Sequence, residues 1–128
     1  MAAERSVTNQ AVVAATIDVA AIIAFVLVGR ASHNEGLVGA LDTLWPFIVG
    51  LAVGWAGLRA WRSPRRIVWT GLGIWFSTVV LGMLLRVASG QGVAITFVIV
   101  ASLVLAVLLL GWRGLASLVA WRTTQHNP

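Results

Sequence analysis

The 128 residues contain no cysteine and no lysine, and only four of the side chains are acidic. Without cysteine there can be no disulfide framework, no thiolate metal ligand and no cysteine nucleophile. The basic residues are all arginines, nine in number, and give a formal net charge of +5. Charged residues make up 10% of the chain, hydrophobic ones 59%, and the mean hydropathy is +0.94. A soluble domain carries about a quarter charged residues. A water-soluble core of this length cannot hide so much apolar surface; a bilayer solvates it, provided the backbone satisfies its own hydrogen bonds in helices. A basic excess can indicate nucleic acid. Here the arginines sit at the edges of apolar runs, where they orient a membrane protein, and no nucleic-acid partner is expected.

Four apolar runs, at about 11–30, 44–61, 67–87 and 93–112, each come near the roughly 20 residues that cross a hydrocarbon core. The expected fold is all-α: a polytopic membrane protein, one domain, four transmembrane helices in an N-in/C-in bundle. The first run is too long for a signal-peptide core, and Val28-Gly29-Arg30 is not a small-x-small cleavage site, so the run is retained. Pro46 suits the first turn of the second span, with Asp42 or Thr43 as its cap. The last run stays apolar as far as Trp121. Gly111 and Gly114 suggest an end or a kink there, with 113–122 as a short interfacial helix; the competing reading is one long tilted helix that projects into water.

The densest positive cluster is Arg59, Arg62, Arg65 and Arg66, between the second and third spans. By the positive-inside rule this turn is cytoplasmic, and both termini fall on the same side. Trp61, Trp69, Trp112 and Trp121 then lie near the inner interface and Trp45 near the outer one. The expected location is a prokaryotic cell (inner) membrane, with the lipid bilayer as the first partner.

Asp18 is the acid inside the first span, where an aspartate costs about 2.5–3.5 kcal/mol. Ala11, Ala14, Ala15, Ala21, Ile22 and Phe25 share its helix face, so a neighbouring helix can approach closely. Counted from the cytoplasmic edge, Ser77, Thr78 and Ser102 are its hydrogen-bond candidates, and no arginine stands at that depth. Burial without a cation favours the neutral acid. Asp18 is then either a structural link between helices or a proton carrier. Gly50, Gly54 and Gly57 form a close-packing stripe on the second span. At the outer face Arg30, His33, Glu35, Asp42 and Arg86 make a charged cluster, read as a loop latch or as a clamp for an anionic group. The other histidine, His126, falls across the membrane from His33, so no metal site is expected. No phosphate-binding loop, HExxH or GxGxxG appears, so neither cofactor nor catalytic residue is assigned and no enzyme is expected.

One pattern runs Asp18…Phe25…Gly29-Arg30-x-Ser32-His33, then Thr43-x-Trp45-Pro46-Phe47-x-x-Gly50-x-x-x-Gly54-Trp55, then the Arg-rich turn at 62–66. Over about residues 10–112 it resembles a small prokaryotic membrane family known only as a domain of unknown function, number three-zero-five-four. The resemblance implies four membrane helices and no established activity. The expected role is a small helical subunit or scaffold working as a homo-oligomer or in a larger membrane complex. The alternatives are a proton-coupled small transporter or channel subunit using Asp18 and, ranked last, a lipid-modifying enzyme.

Overall fold

The computed structural model describes residues 2–32, 37–64, 66–91 and 94–126. Four long helices are present among them: α1 (Ala2–Ser32), α2 (Leu37–Leu58), α3 (Leu72–Ala88) and α4 (Ile95–His126). All four carry windows long and apolar enough to cross a membrane, at Thr8–Gly29, Gly39–Leu58, Ile67–Ala88 and Ile95–Thr123. This is a four-helix polytopic membrane-protein fold. Successive helices run antiparallel, so the N-terminal part of α1, the α2–α3 connection and the C-terminal part of α4 share one end of the bundle, called here the arginine end.

The tightest seam joins α2 to α3. A Cβ at Gly50 would stand 3.0 Å from the backbone of Ser77 and Thr78, and one at Gly54 would stand 3.0 Å from the Ser77 side chain. The Ser77 hydroxyl uses this closeness to donate to the Gly50 carbonyl at 2.8 Å. Gly57, third in the stripe, has open space where a side chain would go. Small residues at such a contact gain packing that lipid tails cannot supply. Near the opposite end Phe25, Phe47 and Phe97 form a ring cluster, with Phe25 edge-on to Phe47 at 5.7 Å.

Three features differ from the sequence reading. First, α2 begins at Leu37, so Pro46 lies inside the helix and not in its first turn. A proline there leaves the carbonyl four residues earlier without its usual N–H donor. That carbonyl belongs to Asp42, and the Gln91 side-chain amide donates to it at 2.9 Å. Gln91 is positioned by the end of α3. There Gly90 adopts φ 80° and the Gln91 N–H bonds back to Arg86 O at 2.9 Å, a left-handed glycine stop.

Second, the third span opens as a π-helical turn over Ile67–Gly71 before α3 proper, and the Gly71 N–H reaches Arg66 O at 2.8 Å. A Cβ on Gly71 would meet Leu110 Cδ2 at 2.8 Å and Arg113 Cδ at 3.1 Å. The wide turn and the bare glycine together make room for the Arg113 stem.

Third, α4 passes Gly111 and Gly114 without interruption and runs for 32 residues, so there is no separate helix over 113–122. At 1.5 Å per residue it is about 48 Å long, more than a hydrocarbon core of roughly 30 Å.

Candidate functional site

Asp18 lies on the inward face of α1, beside Ala14, Ile22 and Phe25, all of them buried. Its own exposure is 0%. Both carboxylate oxygens are engaged. Oδ1 accepts from Arg113 Nη1 at 2.8 Å and from Trp112 Nε1 at 2.8 Å. Oδ2 accepts from Arg113 Nη2 at 2.7 Å and from Trp55 Nε1 at 2.9 Å. A carboxylate offers about four lone-pair sites, so this one is saturated, with a bidentate guanidinium on two of them.

Arg113 is equally buried, at 0% exposure. Its Nε donates to Pro64 O at 2.8 Å and its Nη1 also donates to Leu109 O, one turn earlier in α4, at 2.9 Å. The guanidinium carbon lies 4.5 Å from the centroid of the Trp112 ring. Three spans and the α2–α3 connection therefore meet on one ion pair: α1 through Asp18, α2 through Trp55, α4 through Trp112 and Arg113, and the connection through Pro64. The connection is itself pinned, since the Thr70 hydroxyl donates to Ser63 O and Arg59 turns the chain with φ 52°.

Asp18's hydrogen bonds go to Trp55, Trp112 and Arg113 and to none of the three hydroxyls that the sequence suggests. Ser77 is bonded to Gly50 O. Thr78 is fully buried and its hydroxyl has no hydrogen-bond partner among the described residues. Ser102 offers its backbone carbonyl to Trp75 Nε1 at 2.9 Å. Trp112 and Arg113 fall outside the sequence reading because that reading ends the fourth span at 112, and Trp55 because it considers only hydroxyl groups on the third and fourth spans. Moving that edge to Thr123 lowers the level of Asp18 from Ser102 to the neighbourhood of Arg113. A usable signal was present: Arg113 is the one arginine of the last span with apolar runs on both sides, as Asp18 is the one acid of the first. Charges inside membrane spans pair with one another.

In the outer cluster, His33 and Glu35 lie outside the described residues, and for Arg30 the structure describes the helical backbone. Arg86 and Asp42 are linked through Gln91. Arg86 Nη1 donates to Gln91 Oε1 at 3.0 Å, and Gln91 Nε2 donates to Asp42 O. The Arg86 guanidinium also stacks on Phe97, 4.5 Å from the ring centroid. Among the described residues no group of three or more His, Cys, Asp or Glu converges as metal ligands would. The Trp side chains divide by role: Trp61, Trp69 and Trp121 are exposed, whereas Trp55 and Trp112 are half-buried on the Asp18 carboxylate.

A family model described as a protein of unknown function (DUF3054) matches residues 15–116, a stretch that includes Asp18, Trp55, Trp112 and Arg113. The chain belongs to that family. No curated protein and no solved structure matches it.

Proposed function

We propose that this member of the family is a small helical scaffold or subunit that works as an oligomer or within a larger membrane complex. The observation that carries the reading is the saturation of Asp18. A proton carrier needs a lone pair that a proton can reach and leave. Here four N–H donors fill the carboxylate, two of them from the bidentate Arg113 guanidinium. That is the chemistry of a fixed internal link, and it supports a structural role for the acid at the middle of the first span.

The outward faces supply the second support. Within its most apolar window α4 is only 17% buried, and Ile99, Leu103, Val107, Gly111 and Leu115 form an exposed strip at four-residue spacing. Such a face lies against lipid or against another protein, and a chain built almost wholly of membrane helices has few other surfaces to work with. The reading also takes the arginine end as cytoplasmic, in a prokaryotic cell membrane, by the positive-inside rule, and gives the chain no catalytic role.

The absence of cysteine makes the test clean. Leu103→Cys and Val107→Cys proteins, cross-linked in native membranes and sized in mild detergent, are expected to give one discrete species larger than a monomer. Only monomers, with no cross-link from either position, would contradict the proposal. The alternative of a proton-coupled transporter or channel subunit predicts instead that Asp18→Asn abolishes proton flux in proteoliposomes.

A further inference from the structure

A pocket of about 530 Å³ opens at the arginine end, between the start of α1, the α2–α3 connection and the last third of α4. We propose that it binds the phosphate of an anionic phospholipid, with Arg62 and Arg66 as the phosphate ligands and Gln10 and Ser117 as neutral hydrogen-bonding groups. All four side chains line the pocket, and so do the apolar Ile67 and Val68.

Charge is the first argument. Both arginines are solvent-facing, and none of the described residues that line the pocket is acidic. Of the acids whose side chains are described, Asp18 is closed on Arg113, and Asp42 lies near the opposite end, at Gln91. The pocket therefore presents positive charge with no internal counter-ion among the described residues. Guanidinium groups bind phosphate oxygens with matched, often bidentate geometry.

Depth is the second argument. Trp61, Trp69 and Trp121 are each exposed and each adjoin a lining residue: Arg62, Val68 and Ala120. Exposed tryptophans gather at the headgroup level of a bilayer, and basic pockets between membrane helices at that level suit anionic headgroups. Ile67 and Val68, 38% and 75% exposed, give the first methylenes of an acyl chain an apolar wall that a free phosphate ion would not use.

Rigidity is the third. Pro64, which is buried and also lines the pocket, has its carbonyl fixed by Arg113, and the Ser63 carbonyl is fixed by Thr70. The turn that carries both arginines is thus held in place by the buried ion pair beneath it, which lowers the cost of ordering on binding. The inference rests on the membrane fold and is independent of the oligomeric reading.

The test is lipid retention by native mass spectrometry of the detergent-solubilised protein, with phosphatidylglycerol and phosphatidylcholine of equal chain length offered together. Wild type should retain phosphatidylglycerol preferentially. Each arginine near an anionic surface is worth roughly fivefold in affinity, so Arg62→Gln with Arg66→Gln should lower the preference roughly 25-fold. Arg59→Gln, which alters a residue outside the lining, is the control for lost surface charge and should lower the preference by no more than about fivefold. Ser117→Phe keeps both charges but fills the pocket, and should also abolish the preference; it covers the case in which the double variant does not fold. Equal retention by wild type and by either pocket variant would overturn the proposal. So would displacement of the lipid by inorganic phosphate as readily as by phosphatidylglycerol, which would assign the site to the free anion.

Discussion

Arg113 lies 95 residues beyond Asp18 in the chain, yet its two terminal nitrogens meet the two oxygens of that carboxylate at 2.8 and 2.7 Å. The contact joins the first helix to the last. A fully buried pair gains little over well-packed apolar residues, because both ions must leave water. What it adds is register: one depth and one rotation of α4 against α1 satisfy all four bonds to Asp18. The Arg113 bond to Pro64 extends the same constraint to the α2–α3 connection.

The indole donors should matter less than the ion pair and yet measurably. Trp55→Phe and Trp112→Phe each keep a ring and remove one N–H from a charged acceptor, a loss of about 1.5–3 kcal/mol. Unfolding in mixed micelles should show both variants folded and destabilised within that range.

The glycine stripe divides by position. Gly50→Ala places a methyl group against rigid α3 backbone at 3.0 Å and should destabilise the protein by about 1–3 kcal/mol. Gly57→Ala enters open space and should be neutral or stabilising by up to about 1 kcal/mol, the helix-propensity difference. Thermal midpoints of the two variants in the same detergent give the comparison.

Gln91 and Pro46 should be energetically coupled although they make no direct bond. Gln91→Ala removes the donor to Asp42 O and should cost about 1 kcal/mol. Pro46→Ala supplies a main-chain N–H to the same carbonyl. In the Pro46→Ala background the Gln91→Ala cost should therefore fall. Equal costs in the two backgrounds would show that the carbonyl does not need Gln91.

The four spans and the inward face of α1 can be read from the sequence because both depend on the local period of apolar and small residues. The partner of Asp18 depends on where α4 ends. Gly111 and Gly114 look like a stop when read locally, but neither has a positive φ and both face open space, so the helix continues and carries Arg113 inward. Pro46 misleads for a similar reason. Its fit to a first turn is local, whereas the side chain that makes it tolerable inside α2 comes from Gln91, 49 residues from Asp42. The π turn that admits the Arg113 stem follows from the packing of Gly71 against α4, and no short-range pattern encodes it.

The most direct measurement is a double-mutant cycle on the buried pair, read as unfolding free energy in mixed micelles. Asp18→Asn and Arg113→Gln alone should each cost about 3–5 kcal/mol, because each strands a buried partner. The double variant should cost far less than the sum, with a coupling energy of at least about 2 kcal/mol. Costs that add to within about 0.5 kcal/mol would mean that the two side chains do not depend on one another, and that the bundle is not closed by this pair.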